Sequence, residues 1–213
     1  NVVYPSTDAA ADAGFVVLQS DRAHALSGSN TMCVVTALLE TGAVAMEEPE
    51  IELTLETAAG LISATAECAD GRCRRVTFDG VPSFVEALDV PLETAAFGEI
   101  TVDVAYGGCY YVLVRASSLG LRLNRESARA IVDAATDVAA AARRVIKVQH
   151  PLIPELNFLS YVMLIGDDDP AAGNLKGVTV LSGRVDRSPC GTGNAARLAV
   201  MAARGQADVG QRF

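Results

Sequence analysis

Short apolar runs separated by polar turns dominate the first part of the chain. One run is apolar throughout, as in a buried strand, and three others alternate between apolar and polar positions, as half-buried strands do. These runs are residues 13–18, 51–57, 61–67 and 75–78. Asp70-Gly71, between the last two runs, is a turn sequence that favours a β-hairpin.

The rest of the chain mixes strand-like runs with a long helix. The strand-like runs are residues 100–106, 109–114, 160–165 and 178–181. An Ala-rich helix is predicted from residue 124 to residue 143, and the prolines at 82 and 91 indicate a loop with a helical turn at residues 83–88. We place a domain boundary close to Gly98, which divides the chain into segments 1–98 and 99–213.

Two buried helices are each predicted after a polar turn that contains a cysteine. The first turn ends in Cys33 and precedes an apolar helix at residues 34–42. The second turn contains Cys190 and precedes an Ala-rich helix at residues 195–203. The same arrangement therefore occurs once in each segment.

A cysteine at the start of a helix has a distinct chemistry. The first amides of a helix lack internal acceptors and can bind a carboxylate, and the helix dipole favours a thiolate over a thiol. We therefore expect Cys190 to titrate below the usual thiol pKa of about 8.5. The alternative is a cysteine that merely packs as a small hydrophobic residue. Gly191-Thr192-Gly193 is a conformationally costly sequence for packing alone and argues against that alternative.

Composition and charge exclude several classes of function. The net charge of −9, spread without long runs, argues against nucleic acid or an anionic membrane as the main partner. No apolar stretch is long enough for a membrane span, and no signal peptide is visible. The five cysteines lack a zinc-binding spacing, and the Asp167-Asp168-Asp169 run is typical of a solvated turn. We expect a cytoplasmic protein with free thiols and no bound metal.

Two cysteines placed in this way suit the inversion of a carbon centre. One thiolate can remove a proton from one face of a Cα while one thiol delivers a proton to the opposite face. Helix-start amides that hold the substrate carboxylate would stabilise the negative charge that develops as the proton leaves. Such a reaction needs no cofactor.

Three motifs carry a resemblance to a known family. Residues 186–193 closely resemble the second-cysteine motif of the proline racemase family, and residues 30–33 resemble its first-cysteine motif. Residues 102–108 resemble the strand that opens its second lobe. The family comprises proline racemases, hydroxyproline 2-epimerases and trans-3-hydroxyproline dehydratases. The resemblance implies an α/β (α+β) fold of two pseudo-symmetric lobes, each with strands wrapped around a central buried helix, as in diaminopimelate epimerase.

The resemblance also implies roles for individual residues. Cys33 and Cys190 would form the acid/base pair, and Asp186 would contact the ring nitrogen of a proline-like substrate in the cleft between the lobes. The substrate carboxylate would be held by main-chain amides, those of Gly191, Thr192, Val34 and Val35. A small amino acid is thus the expected partner, and a homodimer is the expected assembly.

One departure from the family pattern keeps alternatives open. Gly-His usually follows the first cysteine, whereas this chain has Val34-Val35, which weakens an assignment to 4-hydroxyproline. Dehydratases of the family carry Ser or Thr in place of the first cysteine, so an intact Cys33 favours a racemase or epimerase. A trans-3-hydroxy-L-proline dehydratase and an inactive protein that binds a small carboxylate remain as alternatives.

Two other enzyme classes lack the residues they need. A thiol hydrolase requires a histidine beside its cysteine, and His24 and His150 are both distant from a cysteine in sequence. A pyridoxal enzyme requires a Schiff-base lysine, and neither Lys147 nor Lys176 lies in a phosphate-binding context. We therefore predict a cofactor-independent isomerase that inverts Cα of proline or a hydroxyproline.

Overall fold

The chain folds into two compact units in a computed structural model that describes residues 1–19, 22–166, 177–181 and 183–211. Unit 1 comprises Asn1–Pro82 and unit 2 comprises Ser83–Phe213. Each unit contains a sheet and a helix that packs against it.

Unit 1 is built from a mixed sheet and helix α1. Its elements are β1 (Val2–Tyr4), β2 (Ala13–Leu18), β3 (Ala23–His24), α1 (Gly28–Glu40), β4 (Glu50–Thr57), β5 (Gly60–Ala69) and β6 (Arg72–Phe78). The strand order is β1-β2-β4-β5-β6, with β3 paired to β2, and β2 and β4 are parallel. Helix α1 packs on β6 and β5.

The alternation of apolar residues explains how unit 1 forms its core. Leu53 and Leu55 on β4 and Ile62 and Ala64 on β5 are buried, while the residues between them are more exposed. Each strand therefore turns one face towards the core, as period-2 patterning requires. The apolar stripe of α1 covers this sheet.

Unit 2 contains the second sheet, two α-helices and a short 3₁₀ helix among its described residues. Its elements are β7 (Phe84–Thr94), β8 (Gly98–Tyr106), β9 (Tyr110–Arg115), the 3₁₀ helix (Ala116–Leu119), α2 (Ala128–Val145), β10 (Leu159–Ile165), β11 (Gly177–Leu181), β12 (Arg184–Val185) and α3 (Gly191–Ala203). The strand order is β12-β11-β10-β9-β8-β7. Strands β9 and β10 are parallel, and α2 forms the crossover that a parallel pair requires.

A close backbone approach fixes the start of α3 against the sheet. Helix α3 packs on β7, β8 and β9, and Gly107 lies at the end of β8. A side chain at Gly107 would overlap the carbonyl oxygen of Thr192 and the amide nitrogen of Ala196. Only glycine allows the first turn of α3 to lie this close to the strand.

Most predicted elements are confirmed. The strand at residues 13–18 is β2, and the predicted helix at residues 124–143 is α2 with slightly later bounds. Asp70 and Gly71 both have positive φ, 56° and 69°, as the tight hairpin turn predicted there requires. Within the described residues, no helix has both the length and the apolar character that crossing a bilayer demands.

The segment at residues 83–94 differs from the prediction. It forms strand β7, which pairs with β8, instead of a loop with a helical turn. Pro91 is tolerated because β7 lies at the edge of the sheet, where a missing N–H breaks no ladder. The predicted boundary near Gly98 falls inside this hairpin, so the division between the two units lies earlier, at Pro82/Ser83.

We expect Gly107→Ala to destabilise the protein by roughly 3 kcal/mol, since over-packing against backbone atoms cannot be relieved by a side-chain rotation. The melting temperature should fall by about 5–10 °C in thermal unfolding. Gly80→Ala is the matched control, because a side chain there meets no atom within 4 Å. Equal melting temperatures for the two variants would contradict the close packing of α3.

Candidate functional site

Cys190 is the N-cap residue of α3 and has an unusual backbone conformation. Its φ of 54° and ψ of 67° are left-handed, which is uncommon for a residue other than glycine. Its amide donates to Ser188 Oγ at 3.1 Å, and its carbonyl accepts from the Asn194 amide at 2.9 Å. These hydrogen bonds hold a conformation that proteins often retain at functional sites.

Three donors surround the half-buried sulfur of Cys190. Thr179 Oγ1 donates to Cys190 Sγ at 3.0 Å, and the Tyr111 hydroxyl lies 3.4 Å from the same sulfur. The amide of Gly193 also bonds to the sulfur. The Tyr111 hydroxyl in turn lies 2.8 Å from Thr192 Oγ1. The sulfur thus ends a short network of hydroxyl groups.

The balance of burial and hydrogen bonding sets the pKa of Cys190. Burial raises the pKa of the thiol, and the nearby Asp186 carboxylate raises it further. The hydrogen bonds from Thr179, Tyr111 and Gly193 lower it, but burial is the largest effect and the pKa stays above its usual value. The prediction of a depressed pKa at this helix start is therefore wrong, because loss of solvent outweighs the donors.

The amides of unit 2 that we predict to hold a carboxylate lie in the first turn of α3. Gly191 and Thr192 are the first two residues of the helix, so helix geometry gives their N–H groups no acceptor within it. Gly191 is exposed, and a side chain there would meet no atom within 4 Å. The Gly191 amide is therefore accessible to a carboxylate beside the Cys190 sulfur.

Asp186 is fixed in the loop that leads to Cys190. Its Oδ1 accepts from the Ser188 amide at 2.9 Å, and its Oδ2 accepts from Ser188 Oγ at 2.8 Å. Ser188 Oγ in turn accepts from the amide of Cys190. The carboxylate predicted to contact a substrate is thus held in a defined position in the same loop.

Cys33 does not lie at a helix start. Helix α1 begins at Gly28, so Cys33 is the sixth residue of the helix and is exposed. Val34 and Val35 follow within the helix and are buried, and amides at such positions bond to carbonyls of the preceding turn. The predicted placement of Cys33 is wrong, and so is the prediction that these two amides are available to a carboxylate.

Ser27, which the sequence patterns did not single out, is the N-cap residue of α1. Its Oγ accepts from Asn30 Nδ2 at 2.7 Å and lies 3.5 Å from Ser29 Oγ. Gly28 and Ser29 open the helix, and their amides lack intrahelical acceptors. Unit 1 therefore has a helix start of the same kind, with a hydroxyl at the N-cap in place of a sulfur.

The two helix starts share one local sequence pattern. In each pattern, a residue with a hydroxyl or thiol side chain occupies the N-cap, and glycine and then a hydroxyl residue follow it. The two runs are Ser27-Gly28-Ser29 and Cys190-Gly191-Thr192. Both helices are 13 residues long. Serine is a strongly preferred N-cap residue, so this repeat could have been found in the sequence. Ser27, and not Cys33, holds in unit 1 the position that Cys190 holds in unit 2.

The other residues considered as candidates in the sequence include two histidines, and others lie outside the described part of the chain. Nδ1 of His150 accepts from the amides of Leu152 and Ile153, which fixes a loop. His24 is buried. No cluster of His, Cys, Asp or Glu among the described residues could hold a metal ion. The Asp167-Asp168-Asp169 run and Lys176 lie outside the described residues.

Comparison with known proteins identifies relatives along the entire chain. The family model for proline racemase matches residues 1–213. The chain is 48% identical over 213 residues to the 4-hydroxyproline 2-epimerase of Allorhizobium ampelinum and 49% identical over 214 residues to that of Rhizobium etli. All of this chain is covered in both cases, but it spans only 61% of the length of either relative.

Solved structures give the same result. A hydroxyproline epimerase from Agrobacterium vitis, with trans-4-hydroxy-L-proline bound, has a TM-score of 0.93 and 48% identity over 99% of this chain and 61% of its own. A probable proline racemase from Agrobacterium radiobacter, with bound carbonate, has a TM-score of 0.93 and 48% identity, covering 99% of this chain and 62% of its own. A methylitaconate-delta-isomerase, at a TM-score of 0.51 and 14% identity, shares the fold alone. The predicted fold class is confirmed.

We expect alkylation of Cys190 by iodoacetamide to become faster up to and beyond about pH 9, because burial raises the pKa of this thiol and the thiolate is the reactive form. Mass spectrometry of the Cys190 peptide measures this rate separately from those of the other cysteines. A rate that reaches its plateau below about pH 8 would contradict the raised pKa.

Proposed function

Because the chain belongs to the proline racemase family, we propose that it inverts the configuration at C2 of 4-hydroxyproline. The observation that carries this proposal is the sulfur of Cys190 at the start of α3, beside the amides of Gly191 and Thr192. Curated 4-hydroxyproline 2-epimerases that are 46–49% identical to the chain support the choice of substrate.

The carboxylate of the substrate makes proton removal from C2 feasible. A proton on this carbon is weakly acidic, but the charge left behind spreads into the carboxylate. The amides of Gly191 and Thr192 would stabilise that charge because they are already oriented towards an anion. Asp186, held by Ser188, would bind the protonated ring nitrogen. These groups would stabilise the deprotonated substrate without a cofactor.

Inversion requires a second group that serves the opposite face of C2. We assign that role to Ser27 because it repeats the position of Cys190 at the start of α1. The Asn30 side chain donates to Ser27 Oγ, which would stabilise negative charge on this oxygen when it gives up its proton. Ser27 would then be the second proton-carrying side chain of the reaction.

A second candidate function follows from the same serine. A hydroxyl is a much weaker base than a thiolate, so a pair of Ser27 and Cys190 contains only one strong base. One strong base is sufficient for removal of the C2 proton of 3-hydroxyproline with loss of its hydroxyl as water. This dehydration yields a cyclic enamine that tautomerises to a pyrroline carboxylate.

We also propose a cytoplasmic location and a homodimer. The five cysteines suit a reducing compartment, and Cys33, Cys68, Cys73, Cys109 and Cys190 are all free thiols. The dimer is an expectation from the family resemblance, and light scattering of the purified protein measures its mass.

We expect Ser27→Ala and Cys190→Ala each to slow epimerisation of 4-hydroxyproline by roughly 10²–10⁴-fold, the usual contribution of a general acid or base. Cys33→Ala is the matched control and should stay within about threefold of the wild type, since this side chain lies on the exposed surface of α1. Chiral chromatography of the two epimers measures the rates. If Cys33→Ala loses activity while Ser27→Ala keeps full activity, the proposal for Ser27 is wrong, and Cys33 and Cys190 are the acid/base pair.

Incubation with trans-3-hydroxy-L-proline separates the two candidate functions. We expect less than about a tenth of the turnover seen with 4-hydroxyproline, measured as the pyrroline product. A pyrroline product that forms faster than 4-hydroxyproline epimerises would assign the chain to the dehydratases. No reaction with either amino acid would leave only a carboxylate-binding role.

A further inference from the structure

We propose that the hydroxyl groups of Tyr111 and Thr192 form a reversible relay that lets the Cys190 sulfur gain and lose a proton without movement of heavy atoms. Thr179 acts beside this relay as a second donor to the sulfur. The proposal rests on the proposed function, in which Cys190 carries a proton to or from the substrate. Tyr111 and Thr179 are therefore positioning residues, since they act through the sulfur.

The geometry places one hydroxyl between two partners. The Tyr111 oxygen lies 3.4 Å from Cys190 Sγ and 2.8 Å from Thr192 Oγ1. Tyr111 is 1% exposed and Thr192 is 8% exposed, so bulk water has little access to replace either contact. The phenol remains neutral, because complete burial raises the pKa of Tyr111 well above its ordinary value.

The same heavy-atom positions allow two arrangements of hydrogens. When the sulfur is a thiol, its S–H donates to the Tyr111 oxygen and the Tyr111 O–H donates to Thr192 Oγ1. When the sulfur is a thiolate, the Tyr111 O–H donates to the sulfur and the Thr192 O–H donates to the Tyr111 oxygen. Transfer of the sulfur proton to the substrate, together with rotation of the two hydroxyl hydrogens, converts the first arrangement into the second, and return of a proton to the sulfur reverses the change. Both steps are possible because tyrosine and threonine hydroxyls donate and accept hydrogen bonds.

The surroundings of the sulfur explain why such donors are needed. Tyr111 on β9, Thr179 on β11 and the amide of Gly193 on α3 face the sulfur as donors. Burial and the Asp186 carboxylate both oppose a thiolate. The hydrogen bonds from these neutral donors work in the opposite direction and lower the pKa of the thiol.

Crowding keeps the sulfur against these donors. A side chain at Gly193 would lie 2.7 Å from Cys190 Sγ, 2.7 Å from Met163 Cε and 3.0 Å from the Tyr111 ring. These distances are shorter than side-chain atoms normally tolerate, so only glycine leaves room for the sulfur here. The sulfur therefore lies close to Gly193 and the Tyr111 hydroxyl, with no room for a side chain between them.

The test is the pH dependence of Cys190 alkylation by iodoacetamide in Tyr111→Phe and Thr179→Val. Each variant loses one hydrogen bond to the thiolate, so the midpoint of its curve of alkylation rate against pH should rise by about one pH unit. At pH values below the midpoint, the alkylation rate should then be roughly tenfold lower than in the wild type. The double variant should show a larger rise than either single variant. Peptide mass spectrometry isolates the signal of Cys190.

Matched variants control for packing. Tyr110→Phe removes a neighbouring phenol hydroxyl whose partner is Glu86, and Thr179→Ser keeps the hydroxyl at position 179. Both should retain the wild-type midpoint. Equal midpoints for Tyr111→Phe, Thr179→Val and these controls would overturn the proposal. If Tyr111→Phe does not fold, the comparison of Thr179→Val with Thr179→Ser and of Thr192→Val with Thr192→Ser decides the outcome in the same way.

The readout separates this proposal from the proposed function. Alkylation of Cys190 needs no substrate, so the midpoints are measurable even in a protein that epimerises nothing. If the variants keep the wild-type alkylation midpoint and the protein epimerises 4-hydroxyproline, the relay is refuted and the proposed function stands. Shifted midpoints in a protein without activity on any hydroxyproline would support the relay's effect on the sulfur and remove the function.

Discussion

The contact between the first turn of α3 and the end of β8 is the constraint on which the site of unit 2 depends. Gly107 has no side chain, so the carbonyl of Thr192 and the amide of Ala196 can lie directly against the strand. This packing places Cys190 at the helix N-cap, within reach of donors from β9 and β11. A bulkier residue at position 107 would displace the first turn of α3 and the sulfur together.

The site combines a helix start that favours anions with burial that disfavours a thiolate. Burial keeps Cys190 largely a thiol when no substrate is bound, since it raises the pKa. The surrounding hydroxyls limit that rise without adding a fixed positive charge. A group of this kind can both accept and deliver a proton, which an enzyme that runs a reaction in either direction needs.

Cys190, Asp186 and the amides of Gly191 and Thr192 could be selected as candidates from the sequence because these residues lie together in one short motif, and their roles stay predictions. The start of α1 differs from the prediction of a helix at residues 34–42, because Gly28, Ser29 and Asn30 already form the first turn of the helix. Small polar residues are common both in loop turns and in the first turn of a helix. The preference of serine for the N-cap position is the signal that distinguishes a helix start from a loop turn. Tyr111 and Thr179 could not be predicted at all. The pairing of β9, β10 and β11 brings them to the sulfur, and no local pattern encodes that register.

Our proposal gives Ser27 and Cys190 one proton transfer each at C2 of 4-hydroxyproline. The most direct test follows 4-hydroxyproline in heavy water at early times, when little substrate has been consumed. With two groups, the new epimer carries deuterium at C2, delivered by the side chain in exchange with solvent, while the remaining substrate keeps its hydrogen. An epimer that retains the original hydrogen, or a substrate labelled as fast as the product, would show that a single group acts on both faces and would contradict the account.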